Sequence, residues 1–157
     1  MSLGEVETRP ASARQIDTPH TAQPRIAILG RYPFTSIVTN GGGGETRYGD
    51  IVVNRWRSDP TLDDYGQWCY VRDITAGRIW SASYQPVCIE PDWYRVEFNP
   101  DSGVFTRRDG DIETRMEIFV SVSNATEVRR ITLTNHAGDN HEIELTSYGE
   151  LVITTGY

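Results

Sequence analysis

The chain has 157 residues, 38% hydrophobic and 24% charged, with 22 acidic against 15 basic side chains and a net charge of −7. That length supports one domain with a real core and is too short for two of ordinary size. The acidic balance argues against a phosphate-backbone binder, and no run approaches the ~18 apolar residues of a membrane helix, so neither nucleic acid nor membrane insertion by this chain is expected. All 15 basic residues are Arg, which fits a GC-rich genome better than selection for bidentate recognition. The two cysteines, Cys69 and Cys88, make neither a disulfide framework nor a metal site. With no apolar leader over 1–17, the expected location is cytoplasmic.

Residues 1–23 are polar and aperiodic, with Pro10 and Pro19, and read as a flexible N-terminal arm. Residues 24–157 read as a single β-sandwich domain. Short β-type runs recur there: Arg25–Leu29, Phe34–Thr39, Tyr48–Trp56, Gly66–Asp73, Arg78–Ser81 and Trp93–Phe98, punctuated by Gly, Pro and Asn. Ile112–Val120 is the clearest strand. Ile112, Thr114, Met116, Ile118 and Val120 share one face, while Glu113, Arg115 and Glu117 share the other. Glu127–Thr134 and His141–Ser147, joined by a polar Gly-containing turn, read as a hairpin. No segment keeps a helical period. The pattern predicts an all-β, antiparallel sandwich.

The run Gly41–Gly44 lacks the Lys-Ser/Thr of a P-loop and any following helix, so a turned sheet connection is the favoured reading. His136 and His141 lack further ligands at metal spacing and read as surface groups. Cys69 reads as a small packed hydrophobe. Asp63, Asp64, Asp109, Asp111 and Glu113 carry no separation that would define an acid–base pair. There is no Gly-x-Ser-x-Gly elbow. The most informative feature is the aromatic set of Trp56, Trp68, Tyr70, Trp80, Tyr84, Trp93 and Tyr94, interleaved with Arg55, Arg57, Gln67, Arg72, Asp73 and Gln85. Rings flanked by such groups suit the C–H faces and hydroxyls of sugars; composition alone favours a core role for the same rings.

In order along the chain stand Thr18-Pro19-His20-Thr21, Tyr32 to Gly44 with Val38-Thr39-Asn40-Gly41-Gly42-Gly43, Asn54-Arg55-Trp56-Arg57-Ser58-Asp59, Gly66-Gln67-Trp68-Cys69-Tyr70-Val71-Arg72-Asp73 and Gly77-Arg78-Ile79-Trp80-Ser81. Arg107 to Arg115, Val128 to His136 and Glu144 to Tyr148 follow. Together these segments resemble the amino-terminal β-sandwich domain of glycoside hydrolase family 94 phosphorylases, nearest to the phosphorylase-like region of bacterial cyclic β-1,2-glucan synthases. The resemblance implies a super-sandwich related to mutarotase-like domains, set before a helical linker and an (α/α)6 barrel that carries the general acid. It implies that the sandwich often lies at a dimer interface, and that in some relatives its loops help close the sugar site. Gly30-Arg31-Tyr32-Pro33-Phe34 departs from the family pattern, which marks that loop as remodelled. The family domain continues beyond the point where this sequence stops, so a truncated form is expected.

These readings give a definite expectation. The chain is a non-catalytic, carbohydrate-associated sandwich of a β-glucan synthase- or phosphorylase-type enzyme, supporting assembly and sugar contact. The alternative is a purely structural or oligomerisation module without sugar affinity. No catalytic residue, metal or cofactor is expected, and as an isolated chain it is not an enzyme. The expected partners are a β-glucan or gluco-oligosaccharide and further copies of the chain, because a part-built sandwich leaves edges open. Trp56, Trp68 and Trp80 are the candidate stacking rings, with Arg55, Arg72 and Asp73 as hydroxyl partners; Arg72 and Asp73 equally fit a structural strand-end pair. The sugar-binding reading requires at least two of those tryptophans in one open groove. A small mutarotase-like enzyme would instead need His136 with Glu113 or Glu144 in a cleft.

Overall fold

The computed structural model describes residues 13–57 and 61–155. Among them are strands and turns and no helix. The strands are β1 (Arg14–Ile16), β2 (Ile26–Arg31), β3 (Phe34–Thr39), β4 (Gly44–Tyr48), β5 (Ile51–Asn54), β6 (Gln67–Asp73), β7 (Arg78–Ser81), β8 (Trp93–Phe98), β9 (Ser102–Asp109), β10 (Ile112–Val120), β11 (Glu127–Asn135), β12 (Ile143–Gly149) and β13 (Leu151–Thr155). They form three antiparallel sheets, ordered β1-β8-β9-β10-β11, β12-β6-β7 and β13-β5-β4-β3-β2. The all-β sandwich expected from the sequence is therefore present.

Alternation builds the core. Along β8, Tyr94, Val96 and Phe98 face inward; along β10, Ile112, Thr114, Met116 and Ile118 do so, as their spacing predicts. From the other two sheets come Ala27, Leu29 and Val38, and Val71 and Trp80, so one apolar cluster joins all three. The Trp80 indole N–H reaches Thr114 Oγ1 at 3.0 Å, which satisfies the one polar atom of the largest buried ring.

Three sequence expectations change. Residues 1–12 of the expected arm lie outside the described residues, but Arg14–Ile16 are not part of a flexible arm. They pair with β8 through Arg14 opposite Phe98 and Ile16 opposite Val96. Ile16 packs on the core, the Arg14 guanidinium sits 5.6 Å over the Phe98 ring and donates to Ile26 O at 2.8 Å, and Asp17 pairs with Arg95 at 2.9 Å. Three residues are too few to show a period. Second, Glu127–Thr134 and His141–Ser147 do not form a hairpin. β11 pairs with β10 and β12 pairs with β6, so the polar turn carries the chain from one sheet to another. Third, β4, β9 and β13 are strands the apolar pattern did not mark. β4 and β9 bury polar side chains, Glu45 and Thr46 in one and Arg107 and Asp109 in the other.

Candidate functional site

Strand register decides the fate of the six candidate residues. Trp80 is 1% exposed and Trp68 5% exposed. Trp80 lies beside Val71 in the core cluster, whereas Trp68 is buried on the other face of β6, so close under Gly66 that a Cβ there would meet its Cη2 at 3.2 Å. Neither can stack on a sugar. Only Trp56, on the stretch after β5, keeps part of its ring open. The groove of shared tryptophans is absent among the described residues, which removes the ring-stacking role for Trp68 and Trp80.

The charged candidates are engaged separately. Arg55 is exposed and pairs with Glu150 at 3.0 Å. Arg72 and Asp73 are adjacent on β6, so they point to opposite faces and do not pair with each other. Arg72 reaches Glu144 at 3.5 Å on the surface, while Asp73 is buried. His141 Nδ1 donates to Asp73 Oδ2 at 2.6 Å, and the Ala76 amide donates to Oδ1 at 3.0 Å. Burial pushes the Asp73 carboxyl up, but these bonds outweigh it and hold the group below its ordinary value. Asp73 thus anchors the β6–β7 turn to the approach to β12, and His141 is a half-buried partner rather than a free surface group. His136 does meet Glu113, at 3.3 Å, but on open surface at the start of β10 rather than in a cleft; Glu144 is taken by Arg72.

The glycine run is a buried turn between β3 and β4. Gly42 adopts φ +99°, and a Cβ there would meet Ser83 Oγ at 2.1 Å, so only glycine fits. Gly41 O accepts from the Tyr84 and Gln85 amides at 3.2 and 2.9 Å. Asn40 is fully engaged: its amide donates to Thr18 O and Pro19 O, its Oδ1 accepts from Arg25 N at 2.7 Å, and its main-chain O accepts from Tyr94 at 2.7 Å. Asp63 Oδ2 lies against Gly41 and accepts from Thr39 Oγ1 at 2.5 Å. Burial raises the Asp63 carboxyl to about 6 against the Thr39 bond, and Asp64 adds to the rise. Beneath this turn the fully buried Arg107 forms a bidentate pair with Asp109, at 2.7 and 2.6 Å, and donates to Ser83 O and Ile89 O. Asn40, Ser83, Arg107 and Asp109 are buried and paired here, so this end is scaffold.

Three of the openings among the described residues bear on a candidate site. A small cleft of about 260 Å³ gathers Arg55, Asp64, Tyr65, Trp68, Tyr148 and Glu150. Across Tyr148, one of about 400 Å³ is lined by Gln67, Cys69, Glu127, Arg129 and Leu151. Cys69 packs against the core as expected, and burial pushes its thiol up. The third, about 680 Å³, lies where the β2–β3, β4–β5, β8–β9 and β10–β11 connections meet, with Tyr32 and Tyr48 on its wall. Sequence reasoning missed these two tyrosines as site candidates; the signal was the Tyr32-Pro33 departure already noted in the β2–β3 turn.

Comparison with known proteins agrees with this architecture. Residues 9–156 match the family model described as the supersandwich domain of glycosyl hydrolase 94. The chain is 27% identical over 153 residues to a cyclic beta-(1,2)-glucan synthase of Rhizobium meliloti (strain 1021), covering 98% of this chain and 5% of that protein. It is 26% identical over 140 residues to an N,N'-diacetylchitobiose phosphorylase of Vibrio proteolyticus, covering 86% of this chain and 18% of the relative. A solabiose phosphorylase of Paenibacillus borealis is 25% identical over 141 residues, again with 18% of its length covered. The chain thus spans a small part of each of these relatives.

Proposed function

The chain belongs to the supersandwich domain family of glycosyl hydrolase 94, and from that premise we propose that it is a non-catalytic, carbohydrate-associated sandwich of a β-glucan synthase- or phosphorylase-type enzyme whose work is assembly. One observation carries this reading. Among the described residues, β11, β12 and β13 each form a free edge of a different sheet. All three sheets therefore open on the same stretch of chain. Unpaired edges are templates for further pairing. Large apolar side chains are exposed there: Leu151 is 68% and Ile153 67% exposed, and Leu145 and Tyr148 are about half exposed. Leu145 lies beside Val71 and Trp80 on the core-facing side of its sheet, so the core itself is open at this flank.

In the isolated chain the occupant of the flank is a second copy. Sedimentation velocity from low to high micromolar protein tests this. A dimer or larger species is expected, returned to monomer by the double variant Leu145→Ser, Leu151→Ser. A wild-type chain that stays monomeric at high micromolar concentration overturns it. A purely structural module would assemble in the same way; sugar affinity alone separates the two readings.

A further inference from the structure

We propose that the groove at the four-hairpin end is a binding site for neutral β-linked gluco-oligosaccharides, with Tyr32 and Tyr48 as stacking platforms. It uses none of β11, β12 or β13 and does not rest on the assembly reading.

The groove is held in shape by its backbone. Gly49 N donates to Pro33 O at 2.7 Å, which ties the β4–β5 turn to the β2–β3 tip. Gly30, at φ +81°, would set a Cβ 2.7 Å from both Val120 Cγ1 and Phe34 O, so the tip approaches the end of β10 at a distance only glycine permits. Tyr32 OH then lies 3.9 Å from the Cβ position of Gly49, which places its ring across the turn that follows Tyr48. The volume of about 680 Å³ falls within the range of about 300–1,000 Å³ typical of small-ligand clefts.

Its chemistry selects the ligand. Tyr32 is 82% and Tyr48 47% exposed, an outlay of aromatic surface that the core does not use. Arg31 and Asp101 are the charged side chains lining it, one of each sign, so the groove has no net field and suits an uncharged ligand. Among the described residues, the Arg31 guanidinium, the Asn124 side-chain amide and the two tyrosine hydroxyls make no hydrogen bond within the protein. Donors and acceptors thus surround two open rings. A pyranose presents the complement: an apolar C–H face with hydroxyls around it, each both donor and acceptor. A proline-rich peptide would also lie on tyrosines, but it offers few N–H donors to a carboxylate such as Asp101.

The test is amide-resolved NMR titration of the chain with linear β-1,2-, β-1,3- and β-1,4-linked gluco-oligosaccharides, with a proline-rich peptide as a fourth arm. Saturable shifts confined to residues 30–34, 48–49, 100–101 and 120–125 are expected for at least one linkage. Tyr32→Ala and Tyr48→Ala should each weaken that binding about tenfold or more. Both side chains are exposed, and an unchanged thermal midpoint confirms that each variant is folded. Trp93→Ala, on β8 outside the groove, should leave affinity unchanged. No saturable shift with any sugar, shifts centred elsewhere, equal affinity in the tyrosine variants, or shifts here with the peptide alone each overturn the assignment. Because the readout is ligand binding at named amides, it stands or falls separately from the sedimentation result.

Discussion

The end of the sandwich around Arg107 and the flank formed by β11–β13 follow opposite rules. At the closed end polar groups are buried and answered. Arg107 meets Asp109, Trp80 meets Thr114, and Asn40 spends its side chain on the segment that leads into β2. No buried side-chain nitrogen or oxygen among the described residues lacks a partner. At the flank apolar groups are exposed and unanswered, and edge after edge is left free. The difference teaches where stability and interaction are separately stored. A buried charge left unpaired costs several kcal/mol, whereas an exposed leucine costs the folded monomer almost nothing and is stabilised only when something covers it.

The sharpest break in that contrast is Arg107→Met. It leaves the Asp109 carboxylate buried without its partner and strips donors from Ser83 O and Ile89 O. A loss of about 3–5 kcal/mol in denaturant unfolding is expected, against a smaller loss of about 1–2 kcal/mol for the partly exposed pair Leu145→Ser with Leu151→Ser in the monomer. Equal losses would erase the distinction between the two regions.

Glu127 comes next, because it belongs to both. It sits on edge strand β11, yet it is nearly buried and ties that sheet to the neighbouring one. Ser36 Oγ and Thr46 Oγ1 donate to its Oε2 at 2.6 and 2.9 Å, and Arg129 Nε donates to Oε1 at 2.7 Å. Burial pushes its carboxyl up, but Arg129 and the two hydroxyls outweigh this and hold it below the ordinary value. A depressed carboxyl means that the unfolded chain takes up the proton first as pH falls. Its contribution is therefore full at neutral pH and is lost on acidification through the ordinary carboxylate range and below. Glu127→Gln should cost about 2 kcal/mol at neutral pH, and the gap to wild type should close as both are titrated to acid. A gap independent of pH would show that shape, not charge, makes this tie.

How much of this was legible follows from where the charges went. β3, β7, β8 and β10 stand where apolar alternation places them, since period two with one dry face leaves little choice. β9 escaped because Arg107-Arg108-Asp109 reads as a solvated run, although Arg107 is the most completely buried charge in the domain. The tryptophans misled for the converse reason: a pattern of rings and arginines does not say which side of a strand faces water. Family resemblance correctly indicated the sandwich, while a ring's orientation depends on register with distant strands, as with Trp68 opposite Tyr148. The groove at Tyr32 was visible only as a departure from the family pattern, because four sequence-distant turns have to meet before it exists.

The smallest effect carries the opposite sign. Asp63 belongs to the closed end, yet among the described residues no cation pairs with it: Thr39 Oγ1 is its donor, and Gly41 and Gly43 crowd it. Its carboxyl rises from 3.8 to about 6, chiefly through burial, with Asp64 adding to the rise. Between those values the folded chain keeps a proton that the unfolded chain has released, so stability falls as pH rises through that window. Above it the cost is complete. A rise of about 2 pH units corresponds to about 3 kcal/mol, which partial solvent access reduces to about 1. Asparagine removes the charge, keeps an oxygen for Thr39 and tolerates the φ of 50° at this position. Asp63→Asn should therefore stabilise the chain by about 1 kcal/mol near pH 8 and by nothing measurable below about pH 4. The thermal midpoint at both pH values checks it. An equal gain at both would mean that asparagine relieves the backbone rather than the buried charge, and Asp63 would then rank with the answered groups around it.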